Sequence, residues 1–238
     1  MLDNRVPGTM LYNMKPIKFI DNLSFSSDGE LVSAGSSYRG SAIFMRQGDL
    51  DGACAIYSLM MMLIMNHRVN RRELITRDKN PGYTSTKRLQ DEFLGDLPGL
   101  YKDGFYFNDL SDKLSSSYRK VANAITFSTI PNREDRISKK ELDNKIRETL
   151  DAGFPVQVGF TYEKGGAHSV VAIGFQEFHN GWDYLRLFCL DPAHELPKQA
   201  FWNTILDIRL DYGSRIKYRS HDYSTFRYCN VDEILIIK

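Results

Sequence analysis

From Ala53 to Asn66 the chain reads Ala-Cys-Ala-Ile-Tyr-Ser-Leu-Met-Met-Met-Leu-Ile-Met-Asn, apolar on nearly every side of a helical wheel. A helix at a protein surface keeps a polar stripe for water, and this one has none, so it has to be a buried central helix. It is too short for the ~20 residues a membrane-spanning helix needs, and it carries Tyr57 and Ser58. Asp49 and Asp51 precede it where acids suit a helix N-terminus. Gly52 permits a tight path into the first turn. Cys54 thus stands at the start of a buried helix, where the positive end of the dipole favours a thiolate.

The segments around this helix change character along the chain. The first forty residues have turn and loop composition, as in Ser24-Phe-Ser-Ser-Asp-Gly and Ser33-Ala-Gly-Ser-Ser, and Ser41 to Arg46 reads as a short strand. Arg68 to Ile137 reads as mostly helical. Within it Leu110, Leu114, Tyr118, Val121, Ala122 and Ile125 form a stripe that predicts a helix over 109–125. Ser138 and Glu141 make a capping-box pattern. Leu142, Ile146 and Leu150 form the apolar face of the helix that follows, and Gly153 and Pro155 stop it. The period then changes to two, with strands expected at 156–160, 168–175, 184–190, 206–210 and 231–237. Helices first and strands second predict one α+β domain over 1–238. It would comprise a loosely ordered segment at 1–40, a mainly helical part at 41–152 and a mainly antiparallel sheet at 153–238.

Composition excludes several classes. Among 238 residues, 42% are hydrophobic and 26% charged, with a formal net charge of +1. That balance gives no basis for a nucleic-acid partner or an anionic membrane. Cys54, Cys189 and Cys229 are too few and too scattered for a disulfide framework or a zinc site, and an odd count of thiols fits a reducing compartment. Met1 to Ile20 lacks the apolar core of a signal peptide. The expectation is a soluble cytoplasmic protein without membrane insertion, with export as an effector still open. No phosphate-cradling glycine loop, dinucleotide fingerprint or metal-ligand spacing occurs, so no cofactor and no metal are expected.

The polar residues that remain point to thiol chemistry. Gln47 lies upstream of Cys54 and supplies a side-chain amide able to donate to a developing oxyanion beside the Cys54 backbone N–H. His168 follows Gly165-Gly166-Ala167 and opens a strongly apolar strand, where a polar side chain needs a partner. His67, His179, His194 and His221 stand in loop-like or terminal contexts and read as solvated. Asn180-Gly181 is a hairpin signal, and a two-residue turn there would make His168 face Ala193. Asp191 would then be a diagonal neighbour on the same face, ~7–8 Å away between backbones. An acid so placed orients an imidazole and stabilises its charge. Spacing says nothing of how close Cys54 comes to His168.

The order of Gln47-Gly-Asp-Leu-Asp-Gly-Ala-Cys54, Gly166-Ala-His168-Ser-Val-Val and Leu190-Asp191-Pro192 resembles the papain-like cysteine peptidases. It is most similar to the bacterial branch related to the double-glycine peptidases of bacteriocin exporters. The resemblance implies a helical lobe with a buried central helix and an antiparallel β-sheet lobe, with the active site between them. It also implies a protein or peptide substrate. By it, Cys54 is the nucleophile, His168 the general base and acid, Asp191 the orienting acid and Gln47 the oxyanion donor. The chain departs from the pattern in three places. Gln47 stands seven positions before Cys54, one more than usual in papain-like enzymes; Ala55 replaces a frequent glycine; and no tryptophan follows the cysteine. No transporter domain is expected from these residues, so the exporter function does not carry over with the resemblance. An acyltransferase of the transglutaminase kind shares the Cys, His, Asp order, and a papain-like scaffold used only for binding is a third reading.

Overall fold

The computed structural model describes residues 13–34, 42–48, 53–75, 106–179, 182–210, 216–220 and 226–237. Asp49, Asp51, Gly52, Asn180, Gly181 and His221, which carry expectations above, lie outside them.

The apolar stretch forms helix α1, Cys54–Met65, in which every residue except Cys54 and Tyr57 is buried. A short helix α2 spans Arg71–Ile75, α3 spans Phe107–Ser117 and α4 spans Lys139–Asp151. The capping box at Ser138 and Glu141 is present in both directions, and Gly153 follows the helix at φ +84°. The helix expected over 109–125 ends early. Ser115, Ser116 and Ser117 favour local hydrogen bonds over continuation, and Ala124–Ser128 instead forms strand β5. Its β-branched Ile125 and Thr126 suit the pairing it finds with the last strand.

Residues 13–34 are more ordered than their composition suggests. Four short strands, β1 (Asn13–Met14), β2 (Lys18–Phe19), β3 (Leu23–Phe25) and β4 (Leu31–Ser33), occupy 13–34. The first two add to β7 (Ala167–His179), and the second two pair with each other. Of the strand expected at 41–46, the described residues 42–46 form one bridge, Ala42 with Val32. Asn22 donates from Nδ2 to the Met65 carbonyl at 2.7 Å, covering one of the free carbonyls at the α1 C-terminus.

The remaining strands are β6 (Val156–Tyr162), β8 (Asp183–Leu190), β9 (Thr204–Arg209), β10 (Ile216–Ser220) and β11 (Arg227–Ile237). All pairings among β6 to β11 are antiparallel. They run β7, β6, β11, β10, β9, β8 and back to β7, so the sheet closes into a six-stranded barrel. The expected antiparallel sheet is therefore present, but without open edges along these strands. Closure removes unpaired edges, and local alternation along a strand carries no signal of it. The result is a largely β structure, with α1 laid against β6 and β7 and both sharing one apolar core.

One irregularity sets the register at the site. Near the hairpin tip His179 pairs with Asp183, which is one residue more than a two-residue turn allows. A bulge between Ala172 and Gly174 takes up the extra residue, so Val171 pairs with Leu190. Continued to the strand end, this register sets His168 against Ala193, as the shorter turn would have done.

Candidate active site

Cys54 is the first residue of α1 and is partly exposed. Its N-cap, Ala53, offers no side-chain hydrogen bond, and the bonds of the first turn begin with the Ile56 and Tyr57 N–H groups on the Ala53 carbonyl, which leaves the Cys54 and Ala55 N–H groups ahead of the helical ladder. The turn that carries Cys54 is fixed to the barrel by buried polar contacts. Gln157 in β6 donates from Nε2 to the Ala55 carbonyl at 2.8 Å and to Ser169 Oγ at 3.0 Å. Ser58 donates to the Ser169 carbonyl at 3.2 Å. Ala55 adjoins Cys54 and Ser169 adjoins His168, so these bonds tie the two segments together. The other end of the Gln157 amide, Oε1, is buried without a partner.

His168 pairs with Phe160 across β6 and β7, and its side chain is 10% exposed. Its Nε2 lies 2.8 Å from Asp191 Oδ1, and Asp191 is fully buried. Cys54 lies near enough to this ring to act on its basicity. Burial alone would depress the imidazole. The Asp191 charge and hydrogen bond, with the hydrogen bond and charge of Cys54, outweigh it and push His168 up to about 10. Burial likewise opposes ionisation of Asp191, but His168, Tyr218 and the Ala193 N–H together hold its carboxyl below the usual range. An imidazolium beside a carboxylate and a sulfur is the charge state this arrangement favours.

Asp191 is held at every polar atom. Its N–H donates to Asn203 Oδ1 at 2.7 Å, and its carbonyl accepts from Asn203 Nδ2 at 2.8 Å. Oδ1 also accepts from the Ala193 N–H at 2.8 Å. Oδ2 accepts from the Tyr218 hydroxyl at 2.5 Å and from Thr204 Oγ1 at 3.4 Å.

Gln47 enters from the other side. Its N–H donates to the Pro192 carbonyl at 2.9 Å, one residue beyond Asp191, and Arg46 forms an ion pair with Glu195. The segment before α1 is thereby strapped to the turn after β8. Gln47 Oε1 is buried and has no partner.

The four residues singled out by sequence thus stand as follows. His168 and Asp191 are hydrogen-bonded, Cys54 lies near the same ring, and Gln47 is fastened beside Pro192. Two histidines differ from the expectation of solvation. His194 has a side chain only 16% exposed and lies 2.9 Å from the Tyr218 hydroxyl, and His67 lies 3.4 Å from the buried Ser33 hydroxyl. Sequence reading missed Gln157, Asn203 and Tyr218. Gln157 stands between Val156 and Val158 in a strand with a buried, largely apolar first half, a signal that was there to be read. Tyr218 lies in an ordinary alternating strand and gave none.

A thiol near an imidazole that is hydrogen-bonded to a buried carboxylate is an arrangement suited to thiol chemistry. The sequence profile of the Peptidase_C39 like family matches residues 41–208, from the segment carrying Gln47 to strand β9. The chain belongs to this family, which makes it a cysteine peptidase, a hydrolase with peptide substrates. No curated protein sequence matches the chain. Among the described residues no helix is long and apolar enough to cross a membrane.

Proposed function

We propose that the protein hydrolyses peptide bonds through a Cys54 thioester, with His168 as general base and acid, Asp191 as its orienting acid and Gln47 as an oxyanion donor. The supporting observation is the His168 ring, hydrogen-bonded at Nε2 to the buried Asp191 carboxylate and close enough to Cys54 for the sulfur to act on it. The Cys54 thiolate attacks the scissile carbonyl carbon. The resulting oxyanion takes hydrogen bonds from the Cys54 N–H at the helix start and from the Gln47 amide. The His168 imidazolium gives its proton to the departing amine, leaving a thioester. Neutral His168 then takes a proton from water as it attacks that thioester, and returns the proton to the sulfur as the acid product leaves. Support for the Gln47 role is positional: the backbone N–H of Gln47 is fastened to the Pro192 carbonyl at 2.9 Å, which keeps this amide beside Asp191.

In this reading the layout is papain-like, with the nucleophile on the buried helix and the base on the sheet, here a closed barrel. The finer kinship, to the double-glycine branch, rests on the same Gln47, Cys54, His168 and Asp191 order. The site's position on a chain without a spanning helix among its described residues suits a soluble peptidase.

Iodoacetamide labelling followed by peptide mass mapping tests the assignment. Cys54 is expected to react first, because Cys189 and Cys229 are buried and burial pushes both thiols up, Cys229 to about 12. In His168→Ala the preference for Cys54 is expected to vanish along with peptide cleavage. Slow labelling of all three thiols alike in the intact protein would refute the proposal.

A further inference from the structure

We propose that Tyr218 is a positioning residue of this site: seated by His194, it holds the Asp191 carboxylate by Oδ2 and tempers its pull on the His168 proton. The inference rests on the reading above for its consequence in catalysis, but its geometry stands apart from that reading.

The direction of each hydrogen bond follows from counting protons. An ionised carboxylate only accepts, so the Tyr218 hydroxyl, 2.5 Å from Asp191 Oδ2, donates its one proton there. His194 Nε2, 2.9 Å from the same hydroxyl, therefore carries a hydrogen and donates to the phenol oxygen. A phenol that accepts a hydrogen bond becomes a better donor, so His194 strengthens the bond to Asp191. The result is one series: His194, Tyr218, Asp191, His168, Cys54. The His194 backbone N–H donates to the Asp191 carbonyl at 3.3 Å, but the two side chains stand 3.9 Å apart, which leaves Tyr218 as the connection between ring and carboxylate.

Tyr218 is buried and comes from β10, a strand that does not pair with β7 or with the end of β8. Barrel closure alone brings it to Asp191. Its ring packs tilted against Phe160 and edge-on against Tyr162 and His168, with centroids 5.4, 5.6 and 6.4 Å away. A phenylalanine ring would keep these contacts and lose only the hydroxyl. The other titratable or charged groups facing the cluster are Cys189 from β8, Cys229 from β11 and Tyr162 from β6 with Arg227 over its ring.

The chemical consequence has a definite sign. Each donor on Asp191 spreads the carboxylate charge and weakens its hold on the imidazolium. Ala193 and Thr204 still orient the carboxylate when the Tyr218 hydroxyl is removed, but the charge then concentrates toward His168. The imidazolium keeps its proton to higher pH and gives it less readily to a departing amine.

The experiment is a pair of pH titrations on the full chain. Alkylation of Cys54 by iodoacetate, an anion that needs the imidazolium, reports both limbs of the thiolate–imidazolium pair. NMR of the His168 ring in a Cys54→Ala background reports the imidazole without the sulfur. In Tyr218→Phe the alkaline limb and the NMR midpoint are expected to move up by about half a unit to one unit, with the acid limb unmoved. Peptide cleavage is expected to lose kcat with KM little changed. His194→Leu is expected to move the midpoint the same way by less, and His194→Gln, which retains a donor, to restore it. These two variants carry the test if Tyr218→Phe does not fold. Unmoved midpoints, or midpoints that move down, overturn the inference whatever happens to the melting temperature. Failure of Cys54 to label in the unmutated protein overturns the peptidase proposal instead, and leaves the NMR result standing.

Discussion

Replacing Gln157 with methionine separates what holds the fold from what aligns the site. Methionine keeps the length and flexibility of glutamine and removes the amide. Two hydrogen bonds are lost, to the Ala55 carbonyl at 2.8 Å and to Ser169 Oγ at 3.0 Å. At about 1 kcal/mol each they contribute about 2 kcal/mol. The Ala55 carbonyl lies inside α1 and keeps its helical partner, so no orphaned acceptor is added there. The same substitution removes Gln157 Oε1, which is buried without a partner and costs about 1–3 kcal/mol as it stands. The two effects offset, so stability is expected to change by less than about 1 kcal/mol. Alignment has no such offset, because these bonds join the residue after Cys54 to the residue after His168. Losing about 1 kcal/mol of preference for the aligned state slows Cys54 alkylation about fivefold. Urea denaturation gives the first quantity, and iodoacetamide kinetics at constant pH the second. A stability loss above about 2 kcal/mol with alkylation unchanged would refute the reasoning and make Gln157 a structural residue alone.

Other substitutions probe the frame around the site. Burial raises the Glu233 carboxyl from 4.5 to about 7 despite Arg133 at 3.1 Å. The folded chain therefore holds a proton that the unfolded chain releases, and this stabilisation is full below about pH 4.5 and lost as pH rises through about 7. The loss is on the order of 3 kcal/mol, and Glu233→Gln is expected to flatten the fall in urea midpoint between about pH 5 and pH 8. A Cβ at Gly174 would stand 2.6 Å from the Lys18 carbonyl and 2.4 Å from Phe19 Cδ1. The backbone of β2 cannot yield as a side chain can, so Gly174→Ala is expected to cost about 1–3 kcal/mol by thermal denaturation. At Gly153, φ is +84° but a Cβ meets nothing within 4 Å, so Gly153→Ala is expected to cost only the left-handed strain of about 1 kcal/mol. Ser138→Ala removes the hydroxyl that accepts from the Glu141 N–H at 3.2 Å and is expected to cost about 1 kcal/mol by the same measurement.

Local rules carried much of the architecture. The buried helix, the capped α4 and the five strands expected after Gly153 are all present, because each is set by periodicity and end signals within a few residues. The failures came where local and distant forces compete. Residues 118–125 carry a helical stripe, yet pairing of Ala124–Ser128 with β11 decides their state. Residues 13–34 have loop composition, yet β7 and the α1 C-terminus supply partners for their backbone.

Composition and order by themselves determined the chemistry on offer: a thiol at a helix start, a histidine opening an apolar strand, an acid before proline and an amide upstream of the thiol. Even the register of His168 and Asp191 was legible, although it is reached through a longer hairpin tip and a compensating bulge. Only the tertiary structure decided that Cys54 meets the His168 ring, because more than a hundred residues separate them and no local rule spans that distance. It alone also closed the barrel and so brought Tyr218 and His194 onto Asp191. Periodicity records which face of a strand is buried; what that face meets depends on where distant strands pair, and that is settled by the packing of the whole core.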